Sequence, residues 1–494
     1  MQHSNQHVLW RRGFGFLLSA IVCVAANSGI PLPSVSGPIP VTPSSRPLLE
    51  ADRTQPAVDL VSKGYIEQEY FLSGNANIYE FDPYGNLAVK VPNAKYTDRI
   101  LLRRPKDGQK FSGSVIVEIL NPAFGYDVAP FWDYSHAYFM AHGDAWVGVT
   151  SKPNTAETLK KFNPTRYAPL SWPGQACAGS PAKPEYGALW DILSQASALL
   201  KSQSASNPLA GLSVQKVYLV GKSGGDAPAY LISIHPTASL NFGKAIFDGY
   251  VINSSFGSGQ IALNQCAPRS GLVRTTPPRG VPVINVQSET DVVHLNGGWQ
   301  NRRPDSDASP DLYRLYEVPG SSHIDAEINA PPIGEDLAIF SGRMPAEEDC
   351  AEKAPLNPFP LHYVVDAAFA HLEDWTRRGI PPPKADRIAI NISGNPPTAT
   401  SIKDQFGNTT GGVRTPFLDV PTATYIPVKT GGNSCRYTGY AVPFDQARLR
   451  ALYPTHQDFV AKVRDDVDEL LKQRWLTPDD ANEIKAQAGR AAVP

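Results

Sequence analysis

A serine set among small residues at the end of an apolar run is the first candidate for chemistry in this chain. Val217-Tyr218-Leu219-Val220 leads into Gly221-Lys222-Ser223-Gly224-Gly225, and a helix is expected from about Asp226 to Ile234. This is G-x-S-x-G in a strand–turn–helix context. The turn is so tight that the residues flanking the serine must be small. Ser223 Oγ is then held above the sheet, and the Gly224 N–H points toward a developing oxyanion at the helix N-terminus. The pentapeptide alone is a weak signal in a chain with 39 glycines, so the strand before it and the helix after it carry the reading. Lys222 reads as a lysine on a surface turn.

A serine nucleophile needs a base, and the base needs an orienter. The run 281–286 reads as a strand and continues into Gln287-Ser288-Glu289-Thr290-Asp291-Val292-Val293. Asp291 fits the orienting carboxylate best. Glu289 is the main alternative, and Asp248, at the end of an expected strand over 244–247, is the second. The run 313–318 is a further strand, followed by Pro319-Gly320-Ser321-Ser322-His323. A histidine there can reach Ser223 from above the sheet. His136, His142, His235, His362 and His371 fall in or at the ends of expected helices, His294 sits just past Asp291, and His456 is in the tail. Ser223, Asp291, His323 is also the chain order expected of a nucleophile-elbow hydrolase. The second oxyanion donor is expected from Asn121-Pro122-Ala123-Phe124-Gly125. Pro122 has no N–H, which leaves Ala123 or Asn121. Trp132, Tyr134 and Trp172 are placed near the expected mouth, as pocket walls or as packing.

The elements that must position these residues alternate. Residues 66–72, 76–81 and 99–103 look like strands, with an antiparallel character. Residues 115–120 and 145–150 are apolar runs of the kind that form buried strands. A helix over 131–142 lies between them, with Gly143 as its stop. From Tyr186 to Lys201, Leu189, Ile192, Leu193, Ala196, Leu199 and Leu200 recur at helical spacing. Strands follow at 217–220, 244–247, 281–286 and 313–318, and a long helix at 362–378. Alternation of this kind implies βαβ crossovers and a mainly parallel, mixed sheet flanked by helices. In the tail, Phe459, Val463, Val467 and Leu470 form one stripe, and Thr477-Pro478 reads as a helix start. One domain with long inserted loops is expected over 57–494.

The N-terminus has a different character. Arg11-Arg12 precedes an apolar run from Phe14 to Ala26, too short to span a bilayer, and Ala25 and Ala26 are small. Residues 1–26 read as a secretory signal peptide, with a faint twin-arginine flavour. Residues 27–56, rich in Pro and Ser, read as an export linker. The chain has 494 residues, with 45 basic and 47 acidic side chains, so its formal charge is −2. That balance offers no basic surface for nucleic acid. No other apolar run is long enough to span a membrane either. Four cysteines remain beyond the signal: Cys177, Cys266, Cys350 and Cys435. An even number in an exported chain suggests two disulfides, and none of the four forms a C-x-x-C pair that would point to zinc. Three pairings are possible. Cys177–Cys266 with Cys350–Cys435 is favoured, because each pair stays within one half of the chain.

Several longer motifs occur in order. They are GYIEQEYFLSG at 64–74, VEILN at 117–121, RYAPLS at 166–171, SETD at 288–291, YEVPGSSH at 316–323 and PFLDVP at 416–421. Together they resemble a family of exported alpha/beta hydrolase domain proteins over roughly 60–490. The resemblance implies an α/β-hydrolase fold with Ser223 as nucleophile and His323 as base, and it implies no particular substrate. Similar proteins often carry Ser-Gln-Ser where this chain has Ser223-Gly224-Gly225, which keeps the backbone donor but removes a side chain from the site.

The expectation is a secreted or periplasmic serine hydrolase that needs no cofactor or metal. It would act on a small-molecule ester through Ser223, His323 and Asp291, with Gly224 and Ala123 as oxyanion donors. An amide or lactone hydrolase, an acyltransferase, and an inactive binding protein on the same fold are the alternatives. The sequence is silent on oligomeric state. If all four cysteines pair, thiol titration of the unfolded, unreduced mature protein should find no free thiol; two or more per chain would refute two disulfides.

Overall fold

The computed structural model describes residues 29–177, 179–255, 260–267, 270, 271, 278–295, 297–328, 336 and 349–493. The segment expected as a signal peptide lies outside them. Ten strands form one sheet. They are β1 (Ser34–Ser36), β2 (Tyr65–Phe81), β3 (Leu87–Pro105), β4 (Ser114–Ile119), β5 (Ala145–Val149), β6 (Lys216–Lys222), β7 (Gly249–Asn253), β8 (Val283–Ser288), β9 (Ser306–Ala308) and β10 (Asp311–Val318). Their order is β1-β2-β3-β5-β4-β6-β7-β8-β10-β9. From β5 through β10 neighbours pair in parallel, and the pairs at both edges are antiparallel.

The apolar runs of the sequence become the central strands because both faces of the sheet are covered. Side chains alternate between two cores. Ile116, Tyr218, Val220, Ile284 and Tyr316 meet α1 (Pro130–His142) and a helix at His362–Arg378. Val117, Val217, Leu219, Ile252 and Leu315 meet the helix Leu189–Leu200 on the other face. Gly143 ends α1 in the left-handed conformation, with φ 79°, as its position in the sequence suggests. In the tail, Phe459, Val463, Val467 and Leu470 of His456–Lys472 pack with Ile484 and Ala488 of Pro478–Arg490 onto Tyr363. The Thr477 hydroxyl accepts the Asp480 N–H and caps the last helix.

Three details differ from the sequence reading. The edge strands expected over 66–72, 76–81 and 99–103 are parts of one long hairpin, paired from Tyr65 with Pro105 to Phe81 with Leu87. The strand expected at 244–247 lies at Gly249–Asn253 instead. Ile246 and Phe247 are buried in the loop before it, and Ser197 Oγ donates to the Ile246 carbonyl. From Ser34 onward, the stretch expected as a linker belongs to the fold. Ser34–Ser36 adds an edge strand beside β2, and Leu48 is fully buried. Two disulfides join Cys177 to Cys266 and Cys350 to Cys435. No helix among the described residues is long and apolar enough to cross a membrane.

The N-terminal segment is held by buried charge. Glu69 on β2 accepts from Arg99 Nε at 2.7 Å, Arg166 Nε at 2.6 Å and the Tyr167 hydroxyl at 2.9 Å. Arg99 also donates to the Leu48 carbonyl at 2.6 Å, and Arg166 to the Pro40 carbonyl at 2.7 Å. Glu69 and Arg99 are completely buried. A buried ion pair adds little over an apolar pair, but breaking one strands a charge without a partner. Arg99→Ala should therefore destabilise the fold by about 3–5 kcal/mol. Urea denaturation tests this, and a loss below about 1 kcal/mol would show that the network carries no such stake.

Candidate active site

The turn after β6 has the backbone that a nucleophile elbow requires. Ser223 sits in the left-handed region with φ 58°, followed by Gly224 at 64° and Gly225 at 80°. A non-glycine residue there costs on the order of 1–3 kcal/mol and has to be held in place by its surroundings. The Ser223 N–H donates to the Asn253 carbonyl at 2.9 Å, and the Gly225 N–H to the Ser223 carbonyl at 2.6 Å. Gly221 is small because a Cβ there would sit 2.8 Å from the Ala227 methyl, on the helix that must leave the turn at once. That helix starts at Asp226–Ala229, passes through a π turn at Tyr230–Ile234 and continues as His235–Phe242. The Gly224 N–H has no acceptor among the described residues.

Asp291 and His323 are in direct contact. Asp291 lies on the turn Thr290–His294 that follows β8, and His323 lies on the loop that follows β10. His323 Nδ1 is 2.7 Å from Asp291 Oδ1, and the Ser288 hydroxyl donates to Asp291 Oδ2 at 2.5 Å. Burial alone would push the Asp291 carboxyl up. The facing imidazole, Lys222 and the Ser288 hydroxyl outweigh it and hold the carboxyl at about 2. The His323 loop is anchored from the C-terminal part of the chain. Asn357 Nδ2 donates to the Gly320 carbonyl and to Ser322 Oγ at 2.8 Å each, Ser322 Oγ donates to the Pro427 carbonyl, and the Ile324 N–H donates to the Tyr437 carbonyl. Ser223, Asp291 and His323 thus follow β6, β8 and β10 at the same edge of the sheet.

The alternative acids are occupied or misplaced. Glu289 is fully buried and accepts from the Gly320 N–H, Ser401, Thr409 and Lys403. It braces the His323 loop from below. Asp248 precedes β7, accepts the Val217 N–H at the start of β6 and pairs with Lys201. It therefore sits at the opposite edge of the sheet, a direct result of the strand lying later in the chain than expected.

Neither residue nominated as the second oxyanion donor has a free N–H in this conformation. The Ala123 N–H donates to Asn121 Oδ1 at 2.8 Å, and the Asn121 N–H to the Val128 carbonyl at 2.8 Å. Lys222 is not on the surface. It is 4% exposed, and its Nζ donates to Asn253 Oδ1 and Ser254 Oγ. Trp132 and Tyr134 are buried on α1 rather than displayed on a loop. Asp325, two positions past His323, is fully buried against Tyr134 and carried no signal in the sequence. Among the described residues, no group of three or more His, Cys, Asp or Glu side chains could hold a metal ion.

The sequence matches the family model described as "alpha/beta hydrolase domain" over residues 35–486. No curated protein matches. Solved structures similar to this chain include the esterase Est22, at 14% identity and a TM-score of 0.27, covering 46% of this chain and 64% of that one. An α/β serine hydrolase without a lid from Xanthomonas campestris is similar at 11% identity and a TM-score of 0.27, covering 54% and 93%. The carboxylesterase Cest-2923 from Lactobacillus plantarum is similar at 12% identity and a TM-score of 0.30, covering 45% and 78%.

The two acids make different predictions. If Asp291 orients the imidazole, Asp291→Asn should lower ester turnover by about 10⁴-fold without unfolding the protein. Glu289→Gln, which weakens a brace, should lower stability and leave most of the rate. Matched thermal melts and assays on one ester decide between them; a dead Glu289→Gln beside an active Asp291→Asn would reverse the assignment.

Proposed function

The chain belongs to the alpha/beta hydrolase domain family, and from that premise we propose that it is an exported serine hydrolase that cleaves carboxylic esters. Ser223 Oγ attacks the ester carbonyl while His323 Nε2 takes the hydroxyl proton. Asp291 holds the Nδ1–H tautomer and stabilises the imidazolium. The oxyanion of the tetrahedral intermediate is received by the Gly224 N–H at the N-terminus of the elbow helix. Collapse of the intermediate expels the alcohol, which leaves with the proton held by His323, and an acyl-Ser223 ester remains. Water, deprotonated by the same imidazole, then attacks the acyl group and releases the acid.

One observation carries this reading. A serine is held in left-handed backbone ahead of two glycines, at the sheet edge that also carries a hydrogen-bonded His–Asp pair. A strained serine at such a place is where function is sought. The two disulfides support an oxidising compartment, secreted or periplasmic. The proposed substrate is a small-molecule ester. Amide, lactone and acyl-transfer chemistry use the same three residues, and a panel of esters graded in chain length and aromatic character, run beside amide and lactone probes, separates them.

The decisive test is the nucleophile. A fluorophosphonate probe should label the wild type at Ser223 and leave Ser223→Ala unlabelled. That variant should fold as the wild type does and lose roughly 10⁴- to 10⁶-fold in kcat. An unlabelled wild type would favour a binding protein on this fold, and full turnover by Ser223→Ala would end the serine mechanism.

A further inference from the structure

We propose that Lys222 is a positioning residue of this site: its ammonium, clamped directly behind the nucleophile, is the fixed cation against which the buried carboxylates of Asp291 and Asp325 are arranged. The proposal rests on the reading of Ser223, His323 and Asp291 as a triad.

The clamp is built from the strand ends. Lys222 is the last residue of β6 and is in register with Asn253, the last of β7, which is in register with Val286 of β8. Nζ donates to Asn253 Oδ1 at 2.6 Å and to Ser254 Oγ at 2.9 Å. The Asn253 side chain in turn donates to the Val286 carbonyl at 3.1 Å, and the Ser254 N–H to the same carbonyl at 2.9 Å. Ser254 itself adopts left-handed backbone with φ 53°. The ammonium is therefore tied to β7 and to the strand that leads to Asp291.

Two neutral acceptors do not compensate an ammonium for leaving water, a cost of several kcal/mol per ion. Burial pushes the Lys222 ammonium down, and Asp291 and Asp325 are the groups that pull it back. Asp325 is held by three donors: the N–H groups of Glu327 at 3.0 Å and Ile328 at 3.2 Å, and the Tyr134 hydroxyl at 2.7 Å. The Tyr134 ring centroid lies 5.5 Å from Lys222 Nζ, so α1 closes the cluster. Burial and Glu327 push the Asp325 carboxyl up to about 7, while Lys222 and its hydrogen bonds oppose them.

Asp291, Asp325 and Tyr134 face Lys222. Asp291 and the Tyr437 ring face His323. Glu327 faces Asp325 and is itself paired with His362. Among the described residues, Asp133 on α1 also feels Asp325: burial pushes its carboxyl up, and that charge adds to it. With the imidazole neutral and Asp325 ionised, one buried cation stands against two carboxylates. When His323 takes the serine proton, the charges balance. Lys222 thus allows a second carboxylate to sit beside the triad, and that carboxylate favours the imidazolium of the transition state.

The test is a charge-paired double variant read by pH profile. Asp325→Asn keeps the shape, and its amide can still accept from Glu327 and Ile328 and pair with Tyr134. It leaves Lys222 facing Asp291 alone, so the acid limb of kcat/KM should move down by about one pH unit and kcat should fall. Adding Lys222→Met removes the surplus cation, and the limb should return toward the wild-type position. A packing role would change rates without moving the limb in opposite directions. Coincident limbs in wild type, Asp325→Asn and the double variant would overturn the proposal. If a single variant fails to fold, stability decides: the double variant, in which neither Lys222 nor Asp325 is left charged without the other, should melt above the worse single, and a double that melts no higher would overturn it. Fluorophosphonate labelling of the wild type, run alongside, separates failure of the triad reading from failure of the Lys222 pairing.

Discussion

The parallel register of β6, β7, β8 and β10 is the constraint on which the rest of the molecule depends. In parallel pairing every strand ends at the same edge, so the turns after β6, β8 and β10 open side by side. Strand direction carries Ser223, Asp291 and His323, far apart in sequence, to the same edge, where Asp291 and His323 are hydrogen bonded. The same constraint dismisses Asp248. It lies at the start of a strand, so its carboxylate caps the other edge and cannot approach the elbow.

A parallel sheet covered on both faces has no solvent in which to place charge. Every ionic group near it must then be paired or hydrogen bonded. Two clusters show this. Beside β2 and β3, Glu69 gathers Arg99, Arg166 and Tyr167, and fastens residues 40–48 to the sheet. Beneath the elbow, Lys222 is held by Asn253 and Ser254, while Asp325 is held by Tyr134 and two backbone N–H groups. The first cluster holds an edge of the fold; the second lies directly behind the strained serine.

The C-terminal part of the chain has a share in the site. Asn357, Pro427 and Tyr437 hold the loop that carries His323, and Lys403 and Thr409 saturate Glu289 below it. The disulfide Cys350–Cys435 joins the two stretches that supply Asn357 and Tyr437. The position of the imidazole is therefore decided as much by residues 350–440 as by β10.

Sequence by itself determined the order of the central elements and the places where chemistry can sit. Apolar runs bounded by glycine report burial on both faces, helical spacing reports one buried stripe, and a serine among glycines between a strand and a helix reports an elbow. Each of these is a local signal, carried by residues that are neighbours in the chain. Tertiary structure decided what local spacing does not encode. It placed Lys222 in the interior and not on a turn surface, engaged the Ala123 N–H with Asn121, gave Glu289 a bracing role, and drew the Pro- and Ser-rich segment from Ser34 into the sheet. Ile246 and Phe247 are apolar because they are buried in a loop, and the strand itself runs over Gly249–Asn253. Apart from Ala123, whose acceptor Asn121 lies two positions back, the partner lies from 31 to 120 residues away. The fate of a polar side chain depends on which distant donor or carboxylate the fold brings to it, and that is fixed only when the strands have paired.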